Sequence, residues 1–289
     1  MTDFLQLAFA GLSVGAVYAL VAVGFVAIFT VSEVINLAQG EFASLAGLVG
    51  ISAVASGLPL GAALLLAVVT VAIVAVLMER LTIAPVRRMT TLTSIILTLG
   101  VSTALKALML LLWGPESRGL TPFPGSDLTV AGVSIRAQEL WILGITAVVA
   151  AALVWFYEHT IFGKALRACA EQPTAARLVG ISLARASMVS FVIAGVTGAV
   201  AGVAASPVYF TSWESGLAIG LKGFVAATLG GLVSIRGALL GGLSLGVLES
   251  LVAGYVDTGL RDAVAFVVLI LVLVVRPAGV FGKQAEARV

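Results

Sequence analysis

Unbroken apolar runs decide what this chain can fold into. Leu64 to Leu77 holds a single hydroxyl and Val264 to Val275 holds no polar side chain, and neither alternates apolar with polar residues. A β-barrel would alternate over strands of roughly ten residues. Lipid solvates such runs but penalises every unpaired backbone group, so helices are the expected elements. With 61% of residues hydrophobic, 10% charged and a mean hydropathy of +1.17, the 289 residues carry too little charged surface to stay dissolved in water. The fold class read from the sequence is all-α, a polytopic integral membrane protein.

Crossing about 30 Å of hydrocarbon takes roughly 20 helical residues at about 1.5 Å each. Polar interruptions divide the chain into candidate spans Phe4–Phe29, Val34–Ser56, Leu60–Leu77, Leu92–Trp113, Leu140–Tyr157, Ala186–Ala205, Leu217–Val233, Ala238–Tyr255 and Ala263–Val275. These make about 8–9 transmembrane or re-entrant helices, since several are short and one of the last three could re-enter. Glycines four apart (Gly11 and Gly15, Gly198 and Gly202, Gly237 and Gly241, Gly242 and Gly246) let helix backbones approach closely. Basic residues set the orientation. Arg80, Arg87 and Arg88, then Lys164, Arg167, Arg177 and Arg185, and finally Arg236, Arg276, Lys283 and Arg288 fall on one side, the cytoplasmic one. Nine crossings then put the amino terminus outside, and Met1–Gln6 lacks the positive region of a cleavable signal peptide.

Glu158 to Arg185, before the sixth span, is the one long polar excursion with helical periodicity. Within it Glu171 to Ser182 reads as a short helix, with Pro173 in the first turn, Ala175, Ala176 and Val179 on one face and Gly180 as the stop. So short a helix is marginal alone in water, so it is expected to dock on a partner.

Catalytic and metal chemistry find no residues. Cys169 is the only cysteine and His159 the only histidine, which leaves no disulfide, thiolate cluster or imidazole pair. No nucleophile elbow, zinc-protease motif or nucleotide-binding glycine loop is present, so a solute moved at the expense of ATP would need another subunit to bind the nucleotide. The basic residues are explained by topology, not by a nucleic acid. Polar residues inside the spans are more pointed. Phe42–Ser56 is too short to cross, so its helix is expected to begin near Val34, carrying Asn36, Gln39 and Glu41 to the edge of the hydrocarbon or into it. They form either a solvated interfacial turn or a discontinuous helix lining a water-filled path. Lys106, Lys222 and Glu249 also lie within spans, where a charge costs roughly 2.5–3.5 kcal/mol on insertion scales. Snorkelling fits Lys222, near its helix start, and an interior hydrogen-bonded role fits the deeper Glu249.

Four stretches, in order, resemble the permease subunits of branched-chain (hydrophobic) amino acid ABC transporters, and in particular the shorter of that system's two permeases. They are Val34-Ile35-Asn36-Leu37-Ala38-Gln39-Gly40-Glu41, Gly163-Lys164-Ala165-Leu166-Arg167-Ala168-Cys169-Ala170-Glu171, Ala175-Ala176-Arg177-Leu178-Val179-Gly180-Ile181, and Lys222 to Gly231 with Gly237 to Gly242. The likeness extends to Leu269–Leu273 followed by Arg276-Pro277-Ala278-Gly279. It implies a type II ABC importer-like permease, a single transmembrane domain over 1–289 with a cytoplasmic coupling segment 159–185, in a bacterial inner membrane. It implies a second homologous permease, two cytosolic ATPase subunits that bind the ATP, and an extracytoplasmic solute-binding protein. The polar residues of the spans give Asn36, Gln39, Glu41 and Glu249 as candidates for the translocation path, and the resemblance makes Arg167, Glu171, Ala175, Ala176 and Gly180 candidates for coupling to the ATPase. The chain departs from the family in two places. Thr174 stands where the importer signature has Glu, and Gln39 stands where the family has His, which removes a titratable group. The competing readings are an ion-coupled secondary transporter or channel, and a permease of the same family for urea or another small solute.

Overall fold

The computed structural model describes residues 2–86, 90–130, 132–276 and 278–280; Arg87, Arg88, Lys283 and Arg288 of the topology argument lie outside them. The first helix, α1 (Thr2–Ser32), is 31 residues long, about 46 Å at a helical rise, and exceeds the hydrocarbon thickness. It is the central pillar, packed against the later helices α5 (Ala137–His159), α8 (Leu183–Ala205), α9 (Ser215–Gly230) and α10 (Ile235–Tyr255). The remaining membrane helices are α2 (Gln39–Ala55), α3 (Leu60–Met78, continued by a π-helical turn over Glu79–Ile83), α4 (Thr91–Trp113) and α11 (Arg261–Val275). Between α5 and α8 lie α6 (Ile161–Glu171) and α7 (Pro173–Leu178). Among the described residues seven helices are long and apolar enough to cross a membrane; α2 and α9, at 17 and 16 residues, are shorter. Among the described residues the all-α expectation holds but for one hairpin, β1 (Leu128–Val130) against β2 (Val133–Ile135), in the segment between α4 and α5.

Glycine spacing becomes a packing seam inside the chain. A Cβ on Gly15 would sit 2.7 Å from the carbonyl oxygen of Gly242, and Gly11 meets Val247 and Gly246 just as closely, so α1 and α10 touch backbone to backbone. Gly198 and Gly202 play the same part between α8 and α2, and Gly237 and Gly241 between α10 and α9. In lipid, where burial of apolar surface supplies no drive between helices, such close contact supplies the attraction.

Two expectations are corrected. The second helix begins at Gln39 and not near Val34, because Glu33 adopts a φ of +56° that ends α1 and leaves Val34–Ala38 unwound. Side chains satisfy that backbone: Asn36 Oδ1 accepts from the Ala38 amide at 3.1 Å, and the Thr98 hydroxyl of α4 lies 3.1 Å from the Ile35 carbonyl and 3.2 Å from the Leu37 amide. The helix read over Glu171–Ser182 is likewise two elements. Pro173 has no amide to donate and forces Gln172 out of the α region, to φ −147° and ψ 88°, so Glu171 closes α6 and Pro173 opens α7. Gly180 is the expected stop, at φ +87°. Its amide and that of Ile181 donate to the carbonyls of Arg177 and Ala176, in the double bond of a Schellman turn.

Candidate functional site

Three groups of residues carry the chemistry, and α9 separates two of them. On one side stands the beginning of α2. Asn36, Gln39 and Glu41 are fully buried. Gln39 Nε2 donates to the carbonyl of Ala194, the middle residue of α8, at 2.9 Å, and Asn36 Nδ2 lies 3.5 Å from Gln39 Oε1. Glu41 Oε1 accepts from the Ser102 hydroxyl at 3.0 Å and faces Lys106 Nζ at 3.7 Å, both on α4. Its second oxygen has no partner and lies against the first turn of α9, where a Cβ on Gly216 would come within 2.7 Å of Glu41 Cδ. The partial positive charge of that helix end favours a carboxylate there. Only glycines fit: a Cβ on Gly40 would likewise fall 2.7 Å from Gly220 Cα.

Glu249 lies elsewhere. Lys222 follows Gly220 by two residues, roughly 200° round α9, and so faces α10 and α11. It does not snorkel; it bridges Glu249 Oε2 at 3.2 Å and Asp262 Oδ1 at 2.7 Å. Tyr18 of α1 donates to Glu249 Oε2 at 2.9 Å, Arg261 Nε stands 3.6 Å from the same oxygen, and Arg261 Nη2 reaches the Tyr209 hydroxyl at 3.2 Å. Two carboxylates and two cations therefore balance, and one buried carboxylate ties α1, α9, α10, α11 and the segment before α9 together. Of the four residues expected on a path, the structure unites Asn36, Gln39 and Glu41 and sets Glu249 apart. Helix packing closes around all four, each fully buried within this chain. Reasoning from sequence missed Ser102, Tyr18 and Asp262, whose only local signal is a polar atom within or beside an apolar run.

The third group is the α6–α7 excursion. Thr160 caps α6 by accepting from the Gly163 amide at 2.9 Å. Leu166, Cys169 and Ala176 turn inward onto Val31, Tyr157 and Ala186, so the unit is fastened to α1, α5 and α8. Ala175, Ala176 and Val179 do not share a face: Ala176 is buried, Ala175 is exposed, and Leu178 and Val179 are 85% and 76% exposed, with Ile161 and Phe162 at the start of α6 exposed as well. Arg167, Glu171 and Gly180 are exposed too. At the root of the unit Arg236 pairs with Glu158, joining the start of α10 to the end of α5.

Cys169 is fully buried, and burial pushes its thiol pKa up. A membrane-impermeant maleimide at neutral pH should therefore modify Cys169 at least about tenfold more slowly than a cysteine placed at exposed Lys164. The side of the membrane is read better from Lys164→Cys and Ser126→Cys in a Cys169→Ala background. Labelling of intact cells is expected at position 126 alone, and labelling at position 164 instead would reverse the orientation.

The comparisons with known proteins agree with this architecture. A family model described as the permease component of the branched-chain amino acid transport system matches residues 7–273. The chain is 34% identical over 303 residues to the high-affinity branched-chain amino acid transport system permease protein LivH of Salmonella typhimurium, covering 99% of this chain and 98% of that one. It is 32% identical over 301 residues to the corresponding protein BraD of Pseudomonas aeruginosa, with the same coverage. Among solved structures it resembles PsaBC from Streptococcus pneumoniae in complex with Fab, with a TM-score of 0.52 over 95% of this chain and 92% of that one; at 15% identity this is a likeness of fold alone.

Proposed function

The chain belongs to the branched-chain amino acid transport permease family, and on that premise we propose that it is one membrane subunit of an ATP-driven importer for branched-chain, hydrophobic amino acids. Its partners are a second homologous permease, two cytosolic ATPases that bind the nucleotide, and an extracytoplasmic solute-binding protein. The observation that carries the coupling role is the α6–α7 excursion, which turns one apolar surface inward and leaves another uncovered.

Displacement of that unit by the ATPases has a continuous route inward. α6 follows α5 across Thr160 alone, and α7 leads into α8 through Val179–Ser182. α8 holds the start of α2 through Ala194 and Gln39, and α2 presses on the first turn of α9 through Gly40 and Glu41. Movement of packed helices as rigid bodies then switches the accessible side of the path. Asn36, Gln39 and Glu41 act in this reading as the joint that positions α9.

That reading predicts the behaviour of Glu41→Leu. Loss of the Ser102 and Lys106 contacts should lower uptake about tenfold while the subunits still assemble, since Lys106 is partly exposed and can turn outward. Glu41→Gln, which keeps an acceptor for Ser102, should lose less. Uptake by Glu41→Leu at the wild-type rate would return the cluster to passive packing. The functional reading itself is tested by leucine uptake into vesicles holding the assembled transporter, which should require ATP and the binding protein. ATP-independent flux through the purified chain alone would favour a secondary transporter, and uptake of urea but not leucine would change the cargo.

A further inference from the structure

The geometry points to a transient site for the zwitterionic head of the solute in the groove between α9 and α11, with Lys222 and Asp262 as its two charged contacts. This inference rests on the reading that the cargo is an amino acid. The groove encloses a cavity of about 150 Å³ whose walls are apolar, from Leu221, Val225, Ala265 and Phe266. Its polar end holds one cation and one anion, Lys222 Nζ and Asp262 Oδ1, 2.7 Å apart.

Two physical arguments favour a solute there. The Asp262 side chain is 79% exposed on the outside of the chain, in the first turn of an element apolar enough to cross the membrane. The span itself begins at Ala263, so Asp262 stands at its end, where interfacial water solvates an ionised side chain that lipid would not. The polar end of the groove is therefore wet and open to a solute arriving from water. The second argument is charge balance. A zwitterion brings one carboxylate and one ammonium, which can replace the Lys222–Asp262 contact pairwise: carboxylate to Lys222, ammonium to Asp262, with the branched side chain against Leu221, Val225 and Phe266. Lys222 keeps Glu249 throughout, so no buried charge is stranded during the exchange. The pair closes again when the solute leaves, so retention is weak, as passage requires. A solute with a single charge would leave one of the two residues unmatched, which gives the groove a preference for net-neutral dipolar ions.

The test uses the assembled transporter in vesicles, with leucine and alanine as the probes. Asp262→Asn should lower leucine uptake about tenfold, because it removes the charged partner of the ammonium. Leu221→Trp, which fills the apolar end from a partly exposed position, should lower the leucine-to-alanine uptake ratio about tenfold, the scale of discrimination a small change in apolar pocket volume gives. Wild-type leucine uptake in Asp262→Asn together with an unchanged ratio in Leu221→Trp would remove the site while leaving the cargo reading in place. Equal loss of both solutes in Leu221→Trp would also overturn it, as the mark of a general lesion. Absence of amino acid uptake by the unaltered transporter would instead remove the cargo reading, and this site with it.

Discussion

Replacing Leu178 and Val179 together by aspartate should abolish copurification of the ATPase and ATP-dependent uptake, while the permease still accumulates in the membrane. Both side chains project from the end of α7 into solvent, and neither supports the fold that holds them, which is anchored instead through Ala176, Leu166 and Cys169. Apolar side chains left uncovered at a helix end are the surface a partner would bury, at about 1.5–3 kcal/mol each. Losing two of them and adding two charges to desolvate should weaken assembly at least about a hundredfold. Ala176→Trp provides the contrast: Ala176 is packed against the chain's own helices, so this change should reduce accumulation of the permease itself. Gly180→Trp has open space around it but must adopt the positive φ of the Schellman turn, which strains the end of α7 by roughly 1 kcal/mol without a clash. Undiminished assembly in Leu178→Asp/Val179→Asp, measured by copurification and ATP hydrolysis, would sink the docking assignment.

Glu249→Leu should be the most damaging single change inside the membrane. One Glu249 oxygen receives the Tyr18 hydroxyl and faces both Lys222 and Arg261. Removing it leaves Lys222 to Asp262 alone and Arg261 to the Tyr209 hydroxyl, and takes the acceptor from Tyr18. Breaking one member of a buried pair typically costs about 3–5 kcal/mol, a large part of the stability of most folds. Glu249→Gln retains an acceptor for Tyr18 and should lose less, about 1–3 kcal/mol. Lys222→Met combined with Glu249→Leu should recover part of the loss, since it removes the cation together with its counter-charge. Thermal unfolding of the purified permease, followed by tryptophan fluorescence, reads all three. A midpoint for Glu249→Leu equal to wild type would mean that the network contributes nothing to the fold.

Local chemistry made much of this protein legible before any coordinates. Unbroken apolar runs specify membrane helices because lipid leaves the backbone no other partner. Pro173 and Gly180 punctuate the excursion because one lacks an amide and the other tolerates positive φ, and Asn36, Gln39 and Glu41 announced a special site because polar groups are costly at that depth. Sequence reading starts the short helix at Glu171 with Pro173 in its first turn, whereas Pro173 is its first residue; the rule that the residue before a proline avoids the α region points to Gln172 as the break.

Tertiary structure alone decided which face of each element turns inward. In a soluble helix a polar face marks the outside, but α3 but for Thr70, and α11 beyond Arg261 and Asp262, are apolar all round, so their periodicity does not distinguish lipid from protein. The unwound Val34–Ala38 takes part of its hydrogen bonding from Thr98, 61 residues or more away on α4. Glu249 finds Tyr18 at a separation of 231 residues. Such pairings depend on where helices cross, which the small residues permit at many places and the packed bundle selects at one.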